Sequence, residues 1–213
     1  MVLVIGNKRY SSWSLRPWVA MKHFGIPFEE RLVPLDTPQT HAEILKFSPS
    51  GRVPALIVDG QVIWDSMAIL EYLNETFPEK QMWPAGKQAR ALARSVANEM
   101  HSSFEDMREH MSHDIQTVHE TFDHGRAKGD IARVKQIWTE CLAKSGGPYL
   151  FGEFSIADAM YAPVVNRFIT YAVPLEGAVA KYVETMRKNR AHAEWIDAAM
   201  KEDLRMPRYE AKK

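Results

Sequence analysis

The stretch that decides the fold runs from Pro54-Ala-Leu-Ile-Val58 through Asp59-Gly60 to Gln61-Val-Ile-Trp64. Two short apolar runs flank an Asp-Gly pair. This combination is a strong signal for a β-hairpin, because the tight turn between two strands needs residues that accept a positive φ. The stretch therefore predicts two neighbouring antiparallel strands.

Helices and strands alternate on both sides of this hairpin. The spacing of apolar residues predicts, in chain order, a strand at 2–5, a helix at 15–24, a strand at 29–33, a helix at 41–47, the hairpin, and a helix at 66–77. Pro17 would lie in the first turn of the first helix, where its missing N–H costs little. The resulting order is βαβαββα, an α/β arrangement.

Strand signals nearly vanish beyond residue 86. Pro78, Pro84 and Gly86 interrupt the pattern there, and helical patterns then occupy residues 87–113, 126–144, 156–170, 176–188 and 191–203. The fold class is therefore α/β plus all-α. We predict an α/β domain at residues 1–78, a linker at 79–86 and an all-helical domain at 87–213.

The composition is that of an ordinary folded protein. The chain has 213 residues, 46% of them hydrophobic, and its 27 basic residues balance 27 acidic ones. A nucleic-acid groove or an anionic membrane surface would call for a basic excess, so we expect neither partner. No stretch approaches the roughly 20 apolar residues of a membrane span, and the first residues do not form a signal peptide. We expect a cytoplasmic protein.

Cysteine and histidine usage bears on metal and redox chemistry. Cys141 is the single cysteine, which excludes an intrachain disulfide and a multi-cysteine zinc site. His110 and His113 lie one turn apart on a predicted helix, but no third ligand singles them out. We therefore expect no metal.

Three hydroxyl side chains lie in the segment Tyr10-Ser-Ser-Trp-Ser-Leu-Arg-Pro-Trp18, between the first strand and the first helix. The unpaired N–H groups and partial positive charge of a helix N-terminus favour an anion at such a place. Capping of the helix by Ser14 explains one serine. Ser11 and Ser12 are then either ordinary loop residues or groups that bind such an anion.

Two further segments combine groups that suit a ligand. In Ser50-Gly-Arg-Val-Pro-Ala-Leu56, a cis Val53-Pro54 bond would turn the backbone groups of Val53 outward; a plain edge-strand proline is the alternative. In Trp64-Asp-Ser-Met67, an Asp-Ser pair offers a carboxylate, a hydroxyl and a backbone N–H. These groups either merely cap the next helix or bind a ligand that carries both an amine and a carboxylate.

Taken together, these segments in this order resemble the glutathione transferase family. The first 80 residues resemble its thioredoxin-like glutathione-binding domain, and the remainder resembles its all-helical domain. Phe154-Ser-Ile-Ala-Asp158 resembles the capping box of that second domain, with Ser155 as the N-cap. The resemblance implies glutathione as co-substrate, a small electrophile as the second substrate, and a homodimer that pairs the first domain of one subunit with the second domain of the other.

The resemblance also implies roles for the residues around the hairpin. Val53, beside Pro54, would pair its backbone with the cysteinyl part of glutathione. Asp65 and Ser66 would hold the γ-glutamyl amine and carboxylate. Arg52 would reach the glycyl carboxylate with a fork-shaped donor.

The Ser11-Ser12 pair resembles the start of the Ser-Ser-Cys motif of the zeta class. Ser11 matches the first serine, which would hydrogen-bond the glutathione sulfur, so we name Ser11 and Ser12 as catalytic residues and keep Tyr10 as an alternative donor. The thiolate is the nucleophile, and a hydroxyl donor at a helix N-terminus stabilises it. Lowering the pKa of the thiol by about two units corresponds to roughly 2.7 kcal/mol.

Two departures limit what carries over from the zeta class. Trp13 stands where the motif has its cysteine. The zeta isomerases place a carboxylate-binding arginine on the helix after the capping box, at the position of Thr170 here; Arg167 lies three residues earlier, facing the same cleft or forming a surface ion pair. The candidate walls of the electrophile pocket are Tyr10, Trp13, Met107, Met111 and Arg167.

The leading hypothesis is a glutathione S-transferase that activates the glutathione thiol for attack on an electrophilic small molecule and functions in detoxification. A zeta-like isomerase or dehalogenase is one alternative, and a non-catalytic glutathione-binding relative is another. A thioredoxin-like redox protein would need a cysteine near residues 11–13, where the sequence has none.

Overall fold

The computed structural model describes residues 1–206 and residue 209, so the predicted end of the second domain at residue 213 lies outside the described residues. The strands are β1 (Val2–Ile5), β2 (Glu29–Leu32), β3 (Ala55–Val58) and β4 (Gln61–Ile63). The helices are α1 (Ser12–His23), α2 (Thr40–Leu45), α3 (Ser66–Thr76), α4 (Lys87–Ser102), α5 (Glu105–His110), α6 (Lys128–Ser145), α7 (Ile156–Thr170), α8 (Gly177–Lys188) and α9 (Arg190–Met200). The predicted linker falls between α3 and α4, and the domain boundaries themselves stay a prediction.

The four strands form one mixed sheet in the order β2-β1-β3-β4. β1 pairs with β2 in parallel, with Val2 opposite Glu29. It pairs with β3 in antiparallel fashion, with Leu3 opposite Leu56, and Leu56 in turn faces Ile63 of β4. The βαβαββα order and the hairpin predicted from the sequence are confirmed.

The two faces of the sheet carry different cores, because successive side chains of a strand point to opposite sides. Leu3 and Leu56 belong to the large core that continues into the helical part of the chain. Val4 and Ala55 face the other way, onto Ile44 of α2, in a small separate cluster. The helical part therefore packs on one face of the sheet only.

Helix α1 is buried on almost every side because it lies between the sheet domain and the helical part. It packs against α3, α7 and α9, and the rings of Trp18 and Trp195 meet at 5.2 Å between centroids. The helix begins at Ser12, three residues earlier than predicted, since Ser11 and not Ser14 is its N-cap. Pro17 consequently lies inside the helix rather than in its first turn, and the prediction for both residues was wrong.

The helix predicted at 87–113 is in fact two helices, α4 and α5. Phe104 between them has a φ of 65°, in the left-handed region that ends a helix. The first turn of α5 is held by α6, because the Asp130 carboxylate accepts a hydrogen bond from the Met107 backbone N–H at 2.9 Å. No glycine or proline marks this break in the sequence.

The capping box of α7 is present as predicted. The Asp158 carboxylate accepts hydrogen bonds from the backbone N–H groups of Ser155 (2.9 Å) and Leu150 (3.0 Å) and from the Ser155 hydroxyl (3.0 Å). Burial raises the pKa of the Asp158 carboxyl to about 6. The box thus fixes the start of α7, the helix that carries Arg167.

Candidate functional site

A cavity of about 410 Å³ lies beside the start of α1. Its lining residues come from the three segments that the sequence singled out, although the serine segment contributes Trp13 and neither Ser11 nor Ser12: Trp13, Ser50, Arg52, Val53, Pro54, Trp64 and Asp65. The fold therefore brings the serine segment, the Val-Pro segment and the Asp-Ser segment together at one place.

The Val-Pro segment presents backbone to the cavity. The Val53-Pro54 peptide bond is cis. Among the residues that the structure describes, none makes a hydrogen bond with the backbone N–H or C=O of Val53. Arg52 beside it is exposed, and its backbone N–H is held by the Ser50 hydroxyl at 3.2 Å. This segment thus offers a free peptide edge and an adjacent cation.

The Asp-Ser segment forms the N-terminus of α3. Asp65 is its N-cap, and the Oδ1 atom accepts the Met67 backbone N–H at 3.1 Å. About half of the Asp65 side chain is exposed. Ser66 is fully buried, and its hydroxyl has no hydrogen-bond partner within the described part of the chain. A carboxylate and the positive end of a helix therefore meet at the cavity wall.

His101, at the end of α4, is a site residue that sequence reasoning missed. Its Nε2 atom lies 3.1 Å from Asp65 Oδ2, and its ring meets the Trp13 ring edge-on at 5.3 Å between centroids. Burial lowers the pKa of His101, and the cations Arg16 and Arg108 lower it further, against the opposing effect of Asp65. His101 thus links the helical part of the chain to the carboxylate of the first domain.

The serine segment is more tightly bonded than the sequence suggests. The Ser11 hydroxyl donates to the Ser14 hydroxyl at 2.8 Å, and the Ser14 oxygen also accepts the Gly6 backbone N–H at 3.1 Å. Ser11 Oγ accepts the Ser14 N–H at 3.4 Å as the cap of α1. The Ser11 proton is therefore directed at Ser14 and has to rotate away from it to reach a ligand. Ser12 Oγ has no hydrogen bond to any described residue, and both Ser11 and Ser12 are 6% exposed.

Tyr10 occupies a different environment from the serines. Its ring is only 3% exposed and stacks on the Tyr209 ring at 5.6 Å, with the Arg9 guanidinium 4.7 Å from its centroid. Tyr10 is not among the residues that line the cavity. Met107 and Met111 are likewise fully buried and away from the cavity lining.

Three arginines from three helices lie near one another, and two of them, Arg16 and Arg108, lie over the Trp13 ring. Arg16 of α1 is 1% exposed, and its Nε and Nη1 atoms have no hydrogen-bond partner among the described residues. Its guanidinium lies 4.1 Å from the Trp13 ring centroid, and that of Arg108 lies 4.9 Å from it. Burial holds the pKa of Arg16 well below its usual value, and the charges of Arg108 and Arg167 lower it further. We call Arg16, Arg108 and Arg167 the arginine cluster.

Arg167 is a buried member of this cluster, not a surface residue. It is 5% exposed and donates from Nε to the Met111 carbonyl at 2.8 Å. Burial lowers the pKa of Arg167 to about 10, helped by the charge of Arg108. The surface ion pair considered from the sequence is therefore wrong. Buried cations without a paired acid are costly, so the cluster favours a bound anion.

Over residues 1–206 and 209, no three histidine, cysteine, aspartate or glutamate side chains come close enough to hold a metal ion. None of the helices in that part of the chain is both long and apolar enough to cross a bilayer.

A thioredoxin-like sheet domain joined to a helical bundle, with a cavity beside the start of α1, defines the glutathione transferase class of fold. Residues 10–76 match the family model for the N-terminal domain of glutathione S-transferase, and residues 91–199 match that for its C-terminal domain. The chain belongs to the glutathione S-transferase family.

Individual relatives agree with this assignment. The chain is 31% identical to rat (Rattus norvegicus) maleylacetoacetate isomerase over 77% of its own length and 76% of that protein. It is 36% identical to a probable maleylacetoacetate isomerase of Caenorhabditis elegans, but over only 40% of this chain and 39% of that protein. The match thus spans well under two thirds of the C. elegans relative.

Solved structures show the same fold. A glutathione transferase homologue from Burkholderia gl BGR1, crystallised with bound glutathione, superposes with a TM-score of 0.71 at 25% identity, covering 93% of this chain and 96% of that one. Most of the chain therefore follows a known two-domain architecture.

Proposed function

We propose that the protein is a glutathione S-transferase that activates the thiol of glutathione for attack on an electrophilic small molecule. One observation carries this proposal: the cavity joins a free peptide edge at Val53, a carboxylate at a helix N-terminus in Asp65, and Trp13 in the first turn of α1. These are the groups that a tripeptide with a thiol, an amine and two carboxylates requires. The rat relative and the glutathione-bound Burkholderia structure support the same conclusion.

Each part of glutathione then has a partner. The cysteinyl backbone pairs with Val53, and the γ-glutamyl ammonium meets Asp65 while its carboxylate meets the α3 N-terminus at Ser66. Arg52 takes the glycyl carboxylate. Because His101 Nε2 lies 3.1 Å from Asp65 Oδ2, the Asp65 carboxylate is oriented before the ligand binds.

The chemistry follows from the position of the sulfur at the start of α1. The thiol releases its proton to water, and the Ser11 hydroxyl donates a hydrogen bond to the resulting thiolate, with the helix field adding to its stabilisation. The thiolate attacks an electrophilic carbon and forms a carbon–sulfur bond, while the leaving group departs with the bonding electron pair. No covalent enzyme intermediate or metal takes part in this step.

Turnover of a chloro-nitroaromatic compound with glutathione tests the proposal. We expect a thioether product, identified by its mass, together with release of chloride. A protein that binds glutathione but turns over no member of an electrophile panel would be the non-catalytic relative instead. A product isomeric with its substrate would identify a glutathione-dependent isomerase, and chloride release from an alkyl halide would identify a dehalogenase.

Asp65 is expected to be essential for glutathione binding. Asp65→Ala removes the partner of the ammonium group and the cap of α3, whereas Asp65→Asn keeps a capping oxygen and removes only the charge. We expect both variants to lose at least about tenfold in glutathione affinity by calorimetry, because charged hydrogen bonds contribute about 1.5–3 kcal/mol.

Loss of the cap alone costs about 1 kcal/mol of stability, so Asp65→Asn should melt closer to the wild type than Asp65→Ala does. Unchanged glutathione affinity in Asp65→Asn would reject the role of the charge.

A second candidate substrate class is an electrophile that carries a carboxylate. The arginine cluster favours it, since Arg16 is buried with two nitrogen atoms unsatisfied within the described residues. The relatives named maleylacetoacetate isomerase make glutathione-dependent isomerisation of an unsaturated acid the matching reaction. In that reaction the thiolate adds to the double bond, the carbon–carbon bond rotates, and the thiolate leaves again, so glutathione is regenerated.

We also propose a cytoplasmic homodimer. The cytoplasm keeps thiols reduced, as a glutathione-dependent enzyme requires. Light scattering at micromolar concentration should give twice the mass of one chain. The mass of a single chain under these conditions would contradict the dimer.

A further inference from the structure

The segment that leads into the serines is bound by a carboxylate from beyond α9. We call residues 7–10 the approach segment. Glu202 accepts the backbone N–H of Lys8 at one carboxylate oxygen and that of Arg9 at the other, each at 2.9 Å. These contacts join residues 193 or more positions apart in the chain. One half-buried side chain thus holds two successive peptide groups.

The carbonyl groups of the same two residues are also held by the helical part of the chain. The Trp195 indole N–H donates to the Lys8 carbonyl at 3.0 Å, and the Ile115 backbone N–H donates to the Arg9 carbonyl at 3.2 Å. Every backbone polar group of Lys8 and Arg9 therefore has a partner outside the first domain. The approach segment is positioned from the other domain.

A buried ion pair ties the Arg9 side chain into the same arrangement. Its guanidinium donates to both oxygens of Asp114, at 2.6 and 2.8 Å, and to Gln116 Oε1 at 2.7 Å. The Gln116 amide in turn donates to the Glu202 carbonyl at 2.8 Å and to the Ala199 carbonyl at 2.9 Å. Gln116 thus connects the Arg9 side chain to the backbone of Glu202, and the Glu202 side chain binds the approach segment.

Ser11 is rigidly coupled to this segment. Its backbone N–H donates to the Asn7 carbonyl at 2.8 Å, and the Tyr10 N–H donates to the same oxygen at 3.1 Å. A shift at Lys8 and Arg9 therefore moves the turn that carries the Ser11 hydroxyl. A displacement of about 1 Å of a group that must meet a reacting atom can cost up to about 10²-fold in rate.

We propose that Glu202 is a positioning residue that fixes the Ser11 hydroxyl for its hydrogen bond to the glutathione sulfur. This inference rests on the proposed function. Glu202 touches neither substrate nor cavity lining; it acts through the backbone of the approach segment. A carboxylate suits the task because it is the only side chain that accepts two parallel N–H groups without offering a competing donor.

The matched pair of variants is Glu202→Gln and Glu194→Gln. Glutamine at 202 turns one acceptor into a donor that faces a backbone N–H, whereas Glu194 lies on the neighbouring α9 and makes only an exposed ion pair with Lys22 at 2.7 Å. Glu202→Asp keeps the charge but withdraws the oxygens. Both 202 variants and the control are checked for folding by thermal melting.

Two readouts separate positioning from general stability. Amide hydrogen exchange of the peptide that contains residues 7–10 should be faster in Glu202→Gln than in the wild type and the control. The pKa of bound glutathione, read from the ultraviolet absorbance of the thiolate against pH, should rise in Glu202→Gln. We expect kcat/KM to fall about tenfold, with a smaller fall in Glu202→Asp and glutathione affinity close to that of the wild type.

The outcomes distinguish failure of this inference from failure of the proposed function. If the wild type itself neither binds nor ionises glutathione, the proposed function is wrong, whatever Glu202 does to exchange. If the wild type ionises the thiol and the folded Glu202→Gln protein has the same thiol pKa, the positioning role is overturned. If Glu202→Gln does not fold, the same comparison applies to Glu202→Asp, and a wild-type thiol pKa there overturns the proposal as well.

Discussion

Ser11→Ala is expected to lower glutathione-dependent kcat/KM at least about tenfold, because one hydrogen bond to a charged group contributes about 1.5–3 kcal/mol. The effect should appear as a raised pKa of bound glutathione, since the lost proton donor stabilises the thiolate and not the thiol. Glutathione affinity should change less, because Val53 and Asp65 still hold the peptide. Steady-state kinetics and thiolate absorbance against pH measure both quantities.

The structure adds a stability component to this prediction. Because Ser11 caps α1 and accepts the Ser14 N–H at 3.4 Å, its removal should cost about 1 kcal/mol in the free energy of unfolding. That loss is too small to explain a tenfold loss of activity in a folded enzyme. Thermal melting of Ser11→Ala and Ser11→Asn separates capping from chemistry, since asparagine is also a good cap.

Two control variants decide whether Ser11 is the donor. Ser12→Ala removes the neighbouring hydroxyl, which makes no hydrogen bond to any described residue, and Tyr10→Phe removes the phenol of a ring that is 3% exposed. We expect both to keep more activity than Ser11→Ala. A nearly active Ser11→Ala beside an inactive Ser12→Ala or Tyr10→Phe would transfer the role to that residue.

Local sequence patterns predicted the parts of the fold that rest on local physics. The Asp59-Gly60 turn, with φ values of 48° and 83°, needs residues tolerant of positive φ, so the hairpin was visible in the sequence. The capping box of Ser155 and Asp158 was visible for a similar reason, because both partners lie within one helical turn. The first residues of helices were less predictable. Any of three serines could have capped α1, and the cap is Ser11. The Ser14 hydroxyl instead accepts the Gly6 backbone N–H, a contact that the local pattern does not show.

Local sequence patterns could not predict contacts between segments that are distant in the chain. His101 faces Asp65 only because α4 ends beside the cavity, and no pattern distinguishes it from any other helical histidine. Arg16 followed the serines in the quoted segment, yet its burial depends on α1 being enclosed by both domains. The break at Phe104 has no local marker either, and the contact that holds the start of α5 comes from Asp130 of α6, 23 residues beyond Met107.

Arg16→Met and Arg167→Met are expected to reduce turnover of a carboxylate-bearing electrophile about 10²-fold while leaving a neutral electrophile of similar size nearly unaffected. Removing one partner of a buried, hydrogen-bonded charge pair costs about 2–5 kcal/mol. Here the pair would be an arginine and the substrate carboxylate, so the loss should reduce turnover of the acidic substrate and not of the neutral one. Methionine keeps much of the length and the apolar stem of arginine. Parallel kinetics on the two electrophiles give the ratio directly.

Arg16→Met carries a second expectation, which concerns stability and has the opposite sign. Arg16 is buried with unsatisfied nitrogens and a pKa held well below its usual value by burial, so the cation is costly to the protein without substrate. Arg16→Met should therefore leave the free energy of unfolding unchanged or raise it. Arg187→Met, on the exposed face of α8, serves as the control for loss of one positive charge.

A buried residue that lowers the stability of its own protein is typical of a binding site, because function there can require groups that are unfavourable for folding. If Arg16→Met destabilises the protein and slows both electrophiles equally, the arginine cluster is structural and the substrates are neutral, hydrophobic compounds. If Arg16→Met leaves stability unchanged and slows only the acidic substrate, the cluster selects anionic electrophiles, and Trp13 is the residue that contacts both Arg16 and the cavity.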